Sequence, residues 1–235
     1  YIIGGICVLG IMIAMATIAN AATSTIDVSQ PTQVTDNTYY ERGESIAYDG
    51  TNYWLFYGRS DSVTGNYGND DPDTHDYKVY YKKATTIDGL AGATATLVSG
   101  SNNANLYLGE TDAVYFDSKI WVFASSDVTG GSGCALYSWN TTDGSSWDEW
   151  NLSSAMGIGL LPDGAAHFAA GVCNGKLWIA YQLGNDWNAK YWDGSSWSSE
   201  YDISTGYGTA KFYVEGTHIY FVRAVGNLWL YWLSL

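Results

Sequence analysis

A mainly β protein preceded by one long hydrophobic α-helix is the fold this sequence predicts, on three observations. Residues Ile2 to Ala22 form an unbroken uncharged, largely apolar run. The 235 residues include 20 Tyr, 11 Trp and 27 Gly but only 3 Pro, a balance that suits strands and tight turns better than helices. Beyond residue 23 one pattern recurs: an apolar strand, a turn rich in Asp, Asn or Gly, then an aromatic strand. The expected domains are a helix over 1–23 and a β domain over 24–235.

The apolar run is long enough to form a helix of roughly 30 Å, the thickness of a hydrocarbon core. Ala19-Asn20-Ala21 has the small-x-small form of a signal-peptidase site, but no basic region precedes the run. Gly4, Gly5, Gly10, Ala14 and Ala16 offer small surfaces for close helix approach. A segment apolar all round must be buried on every side, in lipid or among copies of itself. With a leader cut immediately before Tyr1, an apolar helix running into a polar β domain resembles type IV pilins and archaeal pilins. Tyr1 and Gly5 stand where bacterial type IV pilins usually carry Phe and Glu, which favours an archaeal-like or divergent member. The resemblance implies a homopolymeric filament assembled through Ile2, Ile3, Ile6, Val8, Leu9, Ile11 and Ile13, held in the membrane before assembly.

The polar stretch 23–42 contains Pro31. The repeats follow at 46–58 (IAYDGTNYWLFYG), 113–125 (AVYFDSKIWVFAS), 169–181 (AAGVCNGKLWIAY) and 211–223 (KFYVEGTHIYFVR). Each reads as a β-hairpin, with Asp49-Gly50, Asp117-Ser118, Asn174-Gly175 and Glu215-Gly216 at the turn. Trp54, Trp121, Trp178 and Tyr220 align across the copies. A second hairpin follows the first three, turning at Asp88-Gly89, Asp143-Gly144 and Asp193-Gly194. Two hairpins per repeat make a four-stranded antiparallel sheet, and such sheets around an axis make a four-bladed β-propeller, with five blades or a β-sandwich as alternatives. Asp-Gly-Ser-Ser-Trp, ending at Trp147 and Trp197, resembles the turn motif of sialidase-type propeller blades. The last copy ends without its outer strand, so Ser24 to Thr35 is expected to close the ring, unless a neighbouring subunit supplies that strand.

Composition narrows function. Asp and Glu total 24 against 10 Lys and Arg, a net charge of −14, which repels nucleic acid and anionic membrane surfaces. Residues 48–58 and 77–89 resemble blades of propeller glycosidases, whose acidic residues on innermost strands flank a sugar bond. Counted back from the turns, Glu44 and Asp112 occupy equivalent positions and are the candidate catalytic pair. The third acid that the resemblance implies is replaced near Ala169 and Ala210, leaving Glu110, Asp163 and His167 as substitutes. The alternative reading of all these groups is hydrogen-bonded polar lining of a channel.

Asp61, Asp70, Asp71, Asp73 and Asp76, with Asn66, Asn69 and His75, form the dense acidic stretch. Hard oxygen donors on a loop suit calcium, though the spacing is not an EF-hand; no other cofactor is expected. His167 and His218 lack partners at zinc spacing. Cys134 and Cys173 read either as a pair or as buried thiols, and Cys7 as a small hydrophobe. Asn140 and Asn151 head sequons. The expected function is an extracellular, non-enzymatic filament subunit whose outer propeller meets glycans or cell surfaces. The alternative is a membrane-tethered or secreted propeller that binds or cleaves carbohydrate.

Overall fold

The computed structural model describes residues 34, 40–60, 77–100, 106–127, 133–161, 167–225 and 227–233. The chain divides into two units, Tyr1–Thr32 and Gln33–Leu235, and every described residue lies in the second. The helix expected over 1–23, with its assembly residues Ile2 to Ile13, lies outside the described residues. So does the acidic stretch from Asp61 to Asp76, and so does the closing strand expected over 24–35, Val34 apart. Helix among the described residues is confined to α1 (Gly89–Gly92) and α2 (Leu152–Met156), and none is long and apolar enough to cross a membrane.

The described strands form three antiparallel sheets, the first of which is taken as two groups, so that four groups follow in chain order. Group one holds β1 (Tyr40–Tyr48), β2 (Tyr53–Ser60), β3 (Tyr77–Ala84) and the short β4 (Thr96–Leu97). Group two holds β5 (Leu106–Phe116), β6 (Lys119–Asp127), β7 (Cys134–Thr141) and β8 (Asp148–Asn151). Group three is β9 (Phe168–Cys173), β10 (Lys176–Leu183), β11 (Asp186–Trp192) and β12 (Tyr201–Thr205). Group four is β13 (Thr209–Glu215), β14 (His218–Val225) and β15 (Asn227–Leu233). One bridge, Tyr77 to Leu106, joins groups one and two into a continuous sheet.

Turn chemistry sets these registers. Asp117 and Ser118 sit at φ 50° and 59°, and Asn174 and Gly175 at 52° and 67°, the left-handed pair that a two-residue hairpin turn requires. The first hairpin turns differently. Tyr48 pairs with Tyr53, and the Asp49 carboxylate accepts from the N–H of Thr51 and Asn52 at 2.8 and 2.7 Å and from Trp54 Nε1 at 2.7 Å. In the repeated Asp-Gly-Ser-Ser turn, the N–H groups of Ser196 and Ser195 hold the Asp193 carboxyl down to about 2. Asp88-Gly89 departs from expectation: it leads into α1 rather than a hairpin turn, and only two residues return as β4.

Alternation along the strands buries three apolar layers between successive groups. Trp54, Phe56, Val79 and Tyr81 meet Val122, Ala124 and Trp139 between groups one and two. Phe123 and Leu136 meet Leu177, Ile179 and Tyr181 between two and three. Trp178, Ala180 and Trp187 meet Ala210, Ile219 and Phe221 between three and four. The Asp143–Trp147 turn of group two reaches back to group one. Lys83 Nζ donates to the Asp143 carbonyl, Tyr81 Oη donates to the Gly144 carbonyl, and Trp147 packs edge-on against Trp54 and Phe56. In group three Trp192, packed on Trp197, meets Trp150 of group two in the same edge-on way.

At Gly171 the strands of the third layer approach closely. A Cβ there would fall 2.9 Å from Cβ of Phe212, and neither atom can swing aside. Gly171→Ala is expected to cost about 1–3 kcal/mol, read as a lowered urea midpoint; an unchanged midpoint would mean that groups three and four are more loosely apposed.

Candidate functional site

Strands β1, β5, β9 and β13 converge on a cavity of about 250 Å³, lined by Gly43, Glu44, Glu110, Thr111, His167, Phe168, Thr209, Ala210 and Lys211. Both cavity glutamates sit at irregularities in their ladders. The β1–β2 register shifts between Arg42 and Ser45, with Gly43 at φ 62°, and the β5–β6 register shifts between Leu106 and Thr111. Such bulges turn a side chain out of the pleat alternation and toward a site. Thr111 clamps the first bulge, its hydroxyl donating to the Gly43 carbonyl while the Ser45 hydroxyl lies 2.9 Å from Thr111 Oγ1. Glu44 and Glu110 are thereby held on two strands that are tied to each other.

The two glutamates differ in surroundings. Glu44 is exposed, and among the described residues no hydrogen bond or ion pair engages its carboxylate. Glu110 Oε2 lies 3.4 Å from Nδ1 of His167, a contact that is an ion pair when the imidazole is protonated. His167 is in turn fixed through its main chain, its carbonyl accepting from the Gln182 N–H at 3.2 Å.

Asp112 is not the partner of Glu44 that spacing from the turns implied. Strand pairing sets Asp112 opposite Phe123 and Ser45 opposite Phe56, so the counterpart of Asp112 is Ser45. The first turn is longer than the second, and counting from the turns therefore misaligned the strands by one residue. One residue reverses the face. Asp112 is buried, with Oδ2 accepting from the Ala170 N–H at 2.9 Å, Oδ1 from the Ala113 N–H at 3.1 Å and Lys211 Nζ at 3.2 Å. It ties β5 to β9 and β13, and Lys211 carries that tie into the cavity wall.

Burial pushes the Asp112 carboxyl above its ordinary range, against the opposing pull of Lys211 and the N–H donors. A raised carboxyl binds its proton more tightly folded than unfolded. The stability this adds is full below the ordinary value of 3.8 and is lost as pH rises through the raised value. The always-neutral Asp112→Asn chain is expected to lack that decline, so its urea midpoint relative to wild type should climb as pH is raised above about 4. Parallel midpoints above that pH would contradict the raised value.

Of the other expected sites, Asp163 lies outside the described residues, and His218 is exposed at the start of β14, stacked on Tyr220. No group of three or more potential metal-ligating side chains occurs among the described residues. Cys134 and Cys173 are both buried and form no disulfide with each other. Asn140 is 1% exposed within β7, which closes that sequon in the folded chain. Asn151 is exposed and caps α2, its Oδ1 accepting from the Ser154 N–H. Lys211 and Thr209 were missed by sequence reading, because only the convergence of the strands places them beside the glutamates.

No family model and no curated protein matches the sequence. Among solved structures the fold is similar to a family 117 glycoside hydrolase produced by the marine bacterium Zobellia galactanivorans, at 12% identity and TM-score 0.59, covering 83% of this chain and 67% of that one. It is also similar to a family 43 β-xylosidase/α-arabinofuranosidase from a compost microbial metagenome, in complex with xylotriose, at 11% identity and TM-score 0.54, covering 82% and 73%. An α-L-arabinofuranosidase of Podospora anserina, in complex with cellotriose, matches at 9% identity and TM-score 0.51 over 81% of this chain; the chain spans 62% of that enzyme's length.

The described unit therefore has the fold of propeller glycoside hydrolases. This corrects the expectation of a non-enzymatic pilin-like filament subunit, since the fold's neighbours are glycoside hydrolases. The physical reason is that an apolar run ahead of a β domain is a layout shared by anchors, secretion signals and pilin helices. It does not discriminate among them.

Proposed function

We propose that this chain is a glycoside hydrolase, a four-bladed β-propeller that cleaves a glycosidic bond of a sugar held between Glu44 and Glu110. The single observation that carries this reading is the pair of glutamates brought by bulges on two different innermost strands into one cavity. A volume of about 250 Å³ matches one sugar ring with its waters. The fold likeness supports the same reading.

Hydrolysis needs one group to protonate the leaving oxygen and another to activate water or attack the anomeric carbon. Glu110, held 3.4 Å from His167 Nδ1 on the strand facing Glu44, is assigned the role of acid. Glu44, whose carboxylate no hydrogen bond or ion pair engages among the described residues, serves as base or nucleophile. Thr111 holds the strand that carries Glu44, Asp112 and Lys211 brace the cavity wall, and Phe168 covers one side. Acidic composition and the exposed Asn151 sequon accord with work on glycans outside the cell.

The test is reducing-sugar release by the purified full chain from xylo-, arabino- and cello-oligosaccharides, with Glu44→Gln run in parallel. Release by wild type and none by the variant is expected. Equal release by both would refute the assignment of Glu44, and binding without release from any substrate would make the cavity a carbohydrate-binding site alone.

A further inference from the structure

We infer that Arg223 is a positioning residue for the reaction proposed above: its guanidinium fastens the chain crossing from group three to group four, and so holds Thr209 and Lys211 in the cavity wall. The fastening stands on its own geometry. Its effect on turnover rests on the glycoside-hydrolase reading and deepens it.

The crossing is short for what it spans. β12 is the outermost strand of group three, three strand spacings from β9, whereas Thr209, at the start of β13 beside β9, already lines the cavity. Three spacings measure about 14 Å, and the steps from Thr205 to Thr209 reach about 14 Å when fully extended. Residues 206–208 are left little slack. Gly206 and Gly208 sit at φ 109° and 139°, where other residues are strained, and Tyr207 between them is 55% exposed.

Hydrogen bonds pin the crossing at its outer end. The Gly206 N–H donates to the Asn185 carbonyl of the β10–β11 turn at 2.6 Å. Arg223 Nη1 donates to the Thr205 carbonyl and, at 2.9 Å, to the Gly206 carbonyl. Arg223 is 6% exposed and lies on β14 opposite Ala210 of the cavity wall. Alternation puts it on the face that carries Ile219 and Phe221 into the layer against group three. A Cβ on Gly206 would fall 2.9 Å from Nη1 and 3.4 Å from Cζ and Nη2, so the guanidinium lies directly against the Gly206 backbone. A cation buried beside an apolar layer needs its donors met, and charge-assisted bonds to carbonyls are a strong way to meet them. Glu44 and Glu110 stand on β1 and β5, so loosening this crossing disturbs the wall that holds the substrate more than the groups that act on it. Such a change raises KM and leaves kcat nearly as it was.

Chymotrypsin, which cuts after accessible tyrosines, tests the fastening on the folded full chain. Wild type is expected to resist cleavage between Tyr207 and Gly208, and Arg223→Met to be cut there about tenfold faster with the other sites unchanged. Gly206→Ala, which keeps the arginine but crowds its guanidinium, should open the same bond and covers the case in which Arg223→Met fails to fold. In the sugar-release assay Arg223→Met is expected to raise KM about tenfold with kcat within about twofold of wild type. Cleavage at Tyr207 that is equal in wild type and both variants overturns the fastening. Acceleration spread evenly over all sites overturns it too, because that marks a general loss of stability. Selective cleavage joined to a fall in kcat at constant KM overturns the positioning role alone. Selective cleavage in a chain whose wild type releases no sugar overturns the hydrolase reading, and the positioning role with it, while the fastening stands.

Discussion

Turnover by Glu44→Gln is expected to fall about 10²- to 10⁴-fold with KM nearly unchanged. Gln keeps the size and hydrogen-bonding reach of Glu while losing the charge that activates water or stabilises developing positive charge on the sugar, a contribution of this order in acid–base catalysis. Because no partner among the described residues engages Glu44, its replacement breaks no contact among them, and an unchanged melting temperature should accompany the loss. Glu110→Gln should fail in a different way. The acid is needed most when the leaving group is poor, so a substrate with an activated aryl leaving group is expected to recover much of the rate in Glu110→Gln and little in Glu44→Gln. Equal recovery in the two variants would reverse or abolish the proposed division of roles.

Trp54→Ala is expected to cost about 3–5 kcal/mol, the largest stability loss of any single truncation considered. Trp54 is fully buried, and it serves the fold in two directions. Its indole N–H is anchored on Asp49 at 2.7 Å, and its ring receives the edge of Trp147 from the next group. Truncation opens a cavity, removes one of the two side-chain donors to the Asp49 carboxylate and removes the floor on which the Asp143–Trp147 turn rests. Equilibrium urea unfolding should show the loss as a lower midpoint with an unchanged slope. A loss below about 1 kcal/mol would mean that the first interface is not a cooperative part of the fold.

Much of this architecture is legible in the residues. The hairpins at Asp117-Ser118 and Asn174-Gly175 announce themselves because only a few residue types accept positive φ at both turn positions. The Trp54, Trp121 and Trp178 alignment reflects one packing position repeated across three groups. Asp88-Gly89 misled because the same dipeptide also suits the start of a short helix, and nothing local says which will prevail. Of the two glutamates of the proposed site, Glu44 drew notice by its place before a turn, whereas Glu110 entered only as a substitute for the expected third acid. Aligning the repeats on Trp54 and Trp121 instead of on their turns would have exposed the one-residue difference, since Glu44 lies ten residues before its Trp and Asp112 nine. Bulges left no such trace, because they arise from pairing between strands and have no fixed sequence signature.

The backward reach of the Asp143–Trp147 turn has a consequence for synthesis. Trp54 leaves the ribosome 93 residues ahead of Trp147, an interval on the order of 5–20 s at ordinary elongation rates. Through that interval the first sheet presents Trp54, Phe56 and Tyr81 uncovered, its surface completed only when the second has nearly emerged. The nascent chain thus carries a sticky face forward at each step, and a pause just upstream of a docking turn is where a chaperone would be needed most.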